Sequence, residues 1–308
     1  MHQHIQKGIN MSATLYDLSA NMAELVAAAD KHIVRVEGRR RLAATGIIYR
    51  ADGLIVTANH VVERDEELTI GTSDGTSHRA TLVGRDPSSD IALLRVEASD
   101  LPAATWSDPT SLSVGHLVLA LGRPGRTVQA TLGVISALSA GWRTSAGAEI
   151  EHYLQTDVAM YPGFSGGPLL AADGNFAGLN SSALVHGVSV ALPAPTIKRV
   201  VETLITHGRM PRGYLGIGIQ PVRLASALQE RAGQETGLMI MSVEGSSPAE
   251  QAGLIQGDIL VSLAGQPLRQ VDDLQSLLSS TAIGQGVPVS VARGGDLQEL
   301  SVTIAQGK

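Results

Sequence analysis

From His32 to about Ala191 the sequence is written as short apolar runs separated by turn signals, and this rhythm narrows the possible folds sharply. Ile33–Val36, Ile47–Tyr49, Leu54–Thr57, Ala80–Val83, Ile91–Val96, Leu117–Leu121, Thr131–Ser136 and Phe176–Leu179 are such runs. Each is long enough for a strand and too short for a helix. Asp52-Gly53 and Asp173-Gly174 are hairpin-type dipeptides between them. Many short strands at this spacing predict a closed all-β architecture, because closure leaves no sheet edge unpaired. With 34 glycines, 13 prolines and 3% aromatic residues, the composition suits a turn-rich protein with an aliphatic core.

The remainder is organised differently. A helix is predicted over residues 19–31, with Ser19 as N-cap and Leu18, Met22, Leu25, Val26 and Ala29 on one face. A second starts at Pro195 and runs to about His207; Ile197, Val200, Val201, Leu204 and Ile205 form its apolar stripe, and Gly208 follows as a C′ residue. Met210-Pro211-Arg212-Gly213 reads as a short linker. Beyond it, Ser247 and Glu250 make a capping box, with Pro248 at the first helical position and Gly253 at the end. The apolar run Gly257–Gly265 and a helix over Val271–Ser279 follow. The 308 residues therefore divide into an N-terminal extension (1–18), a β-rich domain (19–207), a linker (208–212) and a small α+β domain (213–308).

A formal net charge of −6 argues against nucleic acid as a partner. Arg39-Arg40-Arg41 is a local basic run, too short to reverse that, and reads as a solvated loop. The absence of cysteine excludes disulfides and thiolate metal sites but leaves the compartment open. Residues Met1–Gly8 carry no apolar segment, and no run reaches the ~18 apolar residues of a membrane span. On that ground the chain as given reads as cytoplasmic, with an extracytoplasmic location as the alternative if the native precursor is longer. His2 and His4 read as a frayed terminus rather than as metal ligands, and no cofactor signature is present.

The chemistry is carried by Pro162-Gly163-Phe164-Ser165-Gly166-Gly167-Pro168. A serine among glycines combines a hydroxyl nucleophile with backbone N–H groups free to face an oxyanion. Alone the run is ambiguous, because it also satisfies the G-x-S-x-G elbow of an α/β-hydrolase. Chain order separates the two. His60 closes Leu54–Val62, and Asp90 opens Asp90–Val96, both upstream of Ser165. The order His, Asp, Ser is that of chymotrypsin-like proteases, whereas α/β-hydrolases run Ser, Asp, His. In this reading Ser165 is the nucleophile, His60 the general base and Asp90 its orienting carboxylate. The N–H groups of Gly163 and Ser165 form the oxyanion hole. Asp157 is a rival carboxylate expected on another wall.

Leu54–Val62, Asp90–Val96 and the stretch from Gln155 to Leu170 together resemble the HtrA/Deg family of trypsin-like serine proteases, and the similarity extends over roughly residues 20–306. It implies two six-stranded barrels followed by one PDZ domain. It also implies cleavage of unfolded or misfolded proteins and a homotrimer or larger oligomer through the N-terminal region, where Tyr16 offers an aromatic contact. One position departs from the family: residue 164, usually asparagine, is Phe164. With no polar atom, Phe164 can fix its loop only by burying its ring. It also keeps open a competing reading, a catalytically silent peptide-binding chaperone or scaffold.

Specificity follows from the position six before the nucleophile, where trypsin-like enzymes that cut after Lys or Arg carry a carboxylate. Here it is Ala159, with Met160 beside it, so the pocket is expected to take small or medium apolar side chains. In the PDZ-like part, Tyr214, Leu215, Gly216 and Ile217 would form the loop that takes the C-terminal carboxylate of a bound peptide, and Val271, Leu274 and Leu278 the far wall of the groove.

Overall fold

The structure is a computed structural model and describes residues 11–211, 213–280 and 283–307. His2, His4 and Arg212 of the linker lie outside these residues. The chain divides into two compact units: the chain up to Gly141 with Glu151–Gly208, and Trp142–Ile150 with Arg209 onward.

The first unit opens with helix α1 (Met11–Ala29), which already runs before Ser19. Residues 11–18 contain neither glycine nor proline, so nothing stops the helix there, and Ser19 sits inside it and caps nothing. Strands β1 (Ile33–Glu37), β2 (Ala44–Arg50), β3 (Leu54–Ala58), β4 (Leu68–Gly71), β5 (Ser77–Asp86) and β6 (Ile91–Val96) close a barrel in the order β1-β2-β3-β6-β5-β4. Ile33, Ile47, Leu54, Ile55, Leu68, Ile70, Ile91 and Leu93 on its strands are all completely buried. Full burial of each such side chain stabilises by about 1.5–3 kcal/mol. Strand β3 is buried along its whole length between β2 and β6 and delivers the chain rigidly into the turn at Asn59–Val61.

Strands β7 (Leu117–Gly122), β8 (Gln129–Arg143), β9 (Glu149–Thr156), β10 (Pro168–Ala171), β11 (Phe176–Ser181) and β12 (Ser189–Pro193) form a second closed barrel, ordered β10-β11-β12-β9-β8-β7. The predicted mainly-β double barrel is therefore present. Strands β4, β9, β10 and β12 had no counterpart among the sequence runs. Strand β10 opens on a proline directly after the glycine run, and β9 mixes charged with apolar residues, so neither shows a clean strand pattern. Helix α2 (Ala194–His207) packs Ile197, Val200, Val201 and Leu204 inward, and Gly208 ends it at φ +70° with its N–H on Leu204 O at 2.8 Å. Ile205, expected on the stripe, is 40% exposed.

In the second unit β13 (Gly213–Tyr214) pairs with the last short strand, β20 (Ala305–Gln306). Strands β14 (Ile217–Arg223), β15 (Thr236–Val243), β16 (Ile259–Leu263), β18 (Gly286–Arg293) and β19 (Asp296–Thr303) form the main sheet in that order, and β17 (Gln266–Pro267) pairs β16. Helices α3 (Ser226–Ala232), α4 (Pro248–Gln251) and α5 (Val271–Ser280) complete it. The capping box is present: the Glu250 N–H donates to Ser247 Oγ at 3.2 Å. Its return bond reaches the N–H of Ser246, one residue earlier than the motif predicts.

The second unit also holds an ion pair between buried Asp258 and half-buried Arg293. Arg293 Nε and Nη2 donate to the two Asp258 carboxylate oxygens, each at 2.7 Å, and the Ile255 N–H adds a third bond. Burial pushes the Asp258 carboxyl up, but the Arg293 and Ile255 hydrogen bonds outweigh it and leave the group below its ordinary value. A depressed carboxyl contributes stability above the unfolded value, near pH 4, that is lost as the pH falls through the folded one. Asp258→Asn is therefore expected to destabilise the chain at pH 7 by about 1.5–3 kcal/mol. Thermal melts between pH 7 and pH 3 should show the gap from wild type narrowing below about pH 4.

Candidate active site

The turn after β3 and the turn before β6 bring His60 and Asp90 together. His60 Nδ1 lies 2.8 Å from Asp90 Oδ2 and 3.0 Å from Oδ1, and the His60 N–H donates to Oδ1 at 2.9 Å. Because Nδ1 faces a carboxylate it carries the ring proton, and Nε2 keeps its lone pair. Asp90 is 3% exposed and adopts φ 58°, a left-handed conformation that aspartate tolerates better than most residues. Its own carbonyl is held by the Asn59 N–H at 2.9 Å. The last residue of β11, Ser181, donates its hydroxyl to Asp90 Oδ2. Three donors thus converge on one buried carboxylate, which offsets the cost of removing it from water.

Ser165 enters from the second barrel. Strand β11 holds its loop: the Gly166 N–H bonds Asn180 O, the Asn180 N–H bonds Gly167 O, and Asn180 Nδ2 bonds Pro168 O. Ser165 and His60 line one cavity of about 590 Å³ with Met160, Tyr161, Pro162, Gly163 and Ser182. In this state Ser165 Oγ is 3.0 Å from Ser182 Oγ, and among the described residues no hydrogen bond joins Ser165 to His60. Catalytic hydrogen bonds commonly form only once substrate is bound. Asp157 is elsewhere: its carboxylate accepts from the Val134 N–H on β8.

The segment around Gly163 is fixed from both sides. Thr45 on β2, completely buried, donates its hydroxyl to Gly163 O at 2.6 Å and accepts from the Arg123 N–H at 2.8 Å. Gly163 has φ +94°, and a side chain there would meet Pro124 Cβ at 2.6 Å. Among the described residues neither the Gly163 nor the Ser165 N–H donates to a protein acceptor. Phe164 is wholly buried in an apolar cluster that includes Val118, Ala120, Val158, Leu169 and Ala177, with Tyr161 edge-on at 5.7 Å between ring centroids. A Cβ on Gly122 would lie 2.5 Å from that ring, so the pocket requires glycine there.

Of the two pocket residues read from sequence, Met160 lines the cavity and Ala159 does not; Ala159 is exposed, its carbonyl bonded by Thr131 Oγ1. Arg39, Arg40 and Arg41 line the same cavity, with Leu42 and Glu63. Sequence reasoning missed Thr45, Ser181, Ser182 and this placement of the arginines, because each depends on contacts between segments far apart in the chain.

In the second unit, Tyr214 ends β13, Leu215 and Gly216 connect the strands, and Ile217 opens β14. Among the described residues the N–H groups of Leu215 and Gly216 donate to no protein acceptor, while the Leu215 and Gly216 carbonyls take the Ala249 and Glu244 N–H groups. The Tyr214 hydroxyl bonds Glu244, which pushes its ionisation above the usual tyrosine value. The Leu215 side chain is buried in the core, and Ile217 is half-buried against it. On α5, Leu274 is buried in the core cluster. Val271 and Leu278 are half-buried.

Residues 44–179 match the trypsin-like peptidase domain, and residues 213–304 the PDZ domain. The chain is a trypsin-like peptidase domain joined to a PDZ domain. A probable periplasmic serine endoprotease, DegP-like, from Chlamydia muridarum is 34% identical over 278 residues, 88% of this chain and 56% of that protein. One from Ectopseudomonas mendocina is 36% identical over 276 residues, 87% of this chain and 58% of that protein. The chain thus spans little more than half the length of the curated relatives it matches. Among solved structures, the serine endoprotease from Yersinia pestis superposes with a TM-score of 0.69 at 29% identity, covering 93% of this chain and 98% of that one. The HtrA-type protease AlgW with a decapeptide gives 0.69 at 26% identity, with the same coverage. The resemblance to the HtrA/Deg family is borne out. The cytoplasmic location is not: these relatives are named periplasmic, which points outside the cytoplasm. The expectation failed because it was drawn from the composition of the first residues alone.

The buried ring gives a direct test of how the loop is held. Phe164→Ala is expected to cost about 3–5 kcal/mol, as for other fully buried phenylalanines. Chemical denaturation of the full chain measures it, and a cost below 1 kcal/mol contradicts the packing described here.

Proposed function

We propose that this protein is a serine endopeptidase acting on unfolded or misfolded polypeptides. The observation that carries the reading is the buried Asp90 carboxylate, oriented by Ser181 and bonded to His60 Nδ1, with His60 and Ser165 on one cavity. In the reaction Ser165 Oγ attacks the scissile carbonyl carbon while His60 Nε2 takes its proton. Asp90 stabilises the imidazolium that forms and keeps the ring from turning. The developing oxyanion is received by the N–H groups of Gly163 and Ser165, which Thr45 and Phe164 hold in place. The tetrahedral intermediate collapses as His60 returns the proton to the leaving amine. Water then attacks the acyl-enzyme by the same route.

The cavity residues flanking Ser165, namely Met160, Tyr161, Pro162, Gly163 and Ser182, are uncharged, which supports cleavage after small or medium apolar residues. Ser165→Ala should abolish hydrolysis of casein, a loss on the order of 10⁶ in kcat, with the fold unchanged. Mass-spectrometric mapping of the wild-type products should find Val, Ala, Leu or Ile at the cut. Products dominated by Lys or Arg, or full activity in Ser165→Ala, contradict the assignment.

The pairing of Ser165 with Ser182 favours a second reading, a protease fold silent at rest that binds peptides. The free N–H groups of Leu215 and Gly216 support capture of a polypeptide C-terminus by the PDZ domain. Calorimetry on the full Ser165→Ala chain should show weaker binding of a C-terminally amidated peptide than of its free acid, and equal affinities contradict that role. Leu15, Tyr16 and Leu18 on α1, exposed by 65%, 74% and 43%, support self-association through this helix into a homotrimer or larger assembly, which sedimentation tests.

A further inference from the structure

The Arg39-Arg40-Arg41 run belongs to the β1–β2 connection, and the chemistry above makes no use of it. All three arginines nevertheless line the cavity that holds His60 and Ser165. Arg39 is half-buried, and its Nε donates to Leu42 O at 2.6 Å, curling the loop on itself; Arg40 and Arg41 are exposed. Several acids of the surrounding chain pair with other cations. Glu37 pairs with Arg35, Glu67 lies 3.8 Å from Arg64, and Asp65 pairs with Arg85. Among the described residues no carboxylate pairs with Arg39, Arg40 or Arg41. Glu63 is the acidic side chain lining this cavity, so three guanidinium groups share it with one carboxylate, in a chain whose net charge is −6.

We infer that Arg39, Arg40 and Arg41 form a basic subsite that selects polypeptides carrying Asp or Glu within a few residues of the scissile bond. The inference rests on the endopeptidase reading and names a substrate class for it. A guanidinium stays charged at any working pH, is weakly hydrated, and presents a planar fork that matches a carboxylate. A concave site lined by one sign of charge concentrates oppositely charged segments before any contact is made. The uncharged residues beside Ser165 take the apolar side chain at the cut, and the arginine side reads its acidic neighbours. Because Arg40 and Arg41 are exposed, each pairing should contribute only about 1.5- to fivefold, and salt should weaken it.

Three fluorogenic peptides test this, identical except for two Glu, two Gln or two Lys flanking an apolar cleavage residue. All are C-terminally amidated to disfavour capture by the PDZ domain. With the wild-type full chain at low salt, kcat/KM for the Glu peptide should exceed that for the Gln peptide by about 2- to 30-fold. The Lys peptide should be the poorest. The preference should vanish in Arg40→Gln/Arg41→Gln and shrink in 0.5 M NaCl, while cleavage of the Gln peptide stays within about twofold. Equal cleavage of the Glu and Gln peptides, or a preference that survives in the double variant, overturns the subsite. The same peptides titrated by fluorescence anisotropy onto the full Ser165→Ala chain should rank in the same order, and a lost ranking there also overturns it. If the ranking holds in binding but no Ser165-dependent cleavage occurs, the subsite stands and the endopeptidase reading falls.

Discussion

The site depends on one buried carboxylate shared between two barrels. Asp90 and His60 both come from the first barrel, where β3 and β6 pair over their full length and fix the two turns that carry them. Ser181 comes from the second, at the end of β11, and its hydroxyl on Asp90 ties that barrel to the pair. The same strand holds the Ser165 loop through Asn180. A displacement of β11 against β3 would therefore disturb the orientation of His60 and the position of Ser165 together. A buried polar group left without its partners is costly, so the geometry is maintained by the cost of losing any one of these hydrogen bonds.

The loop beside it is held by a different kind of interaction. Thr45 fixes the Gly163 carbonyl from the first barrel, and the Phe164 ring fixes the next residue by filling an apolar pocket in the second. A ring in a close-packed pocket has few alternative positions, and the absence of a side chain on Gly122 is what admits it. At Phe164 the chain restrains this loop by apolar packing. The cluster around the ring includes Val118, Ala120, Leu169 and Ala177, all on strands of the second barrel. Order in the loop and integrity of that core are consequently one property.

His60, Asp90 and Ser165 were legible in the sequence because each sits in a short local context, a strand end or a glycine run, that survives without knowledge of the fold. Burial of Phe164 was legible for a simpler reason: a ring with no polar atom has no other way to hold a loop. What could not be read lies in long-range pairings. Ser181 meets Asp90 across 91 residues, and Thr45 meets Gly163 across 118. No local pattern marks either hydroxyl. Arg39–Arg41 read as a solvated loop, which describes the exposure of Arg40 and Arg41 but not the cavity they border. Ala159 was placed by counting from the nucleophile, and counting does not report which way a residue faces. The start of α1 was set too late because Ser19 has the chemistry of a cap whether or not a helix begins there.

The proposed function rests on Ser165 acting as a nucleophile activated by His60. Labelling the full chain with a fluorophosphonate and locating the adduct by mass spectrometry tests it most directly, since only a serine with a working base and an oxyanion hole reacts at a useful rate. A single adduct is expected on Ser165, absent in Ser165→Ala and slowed by orders of magnitude in His60→Ala. An adduct on another residue, or labelling of Ser165 that is unaffected by loss of His60, would contradict it.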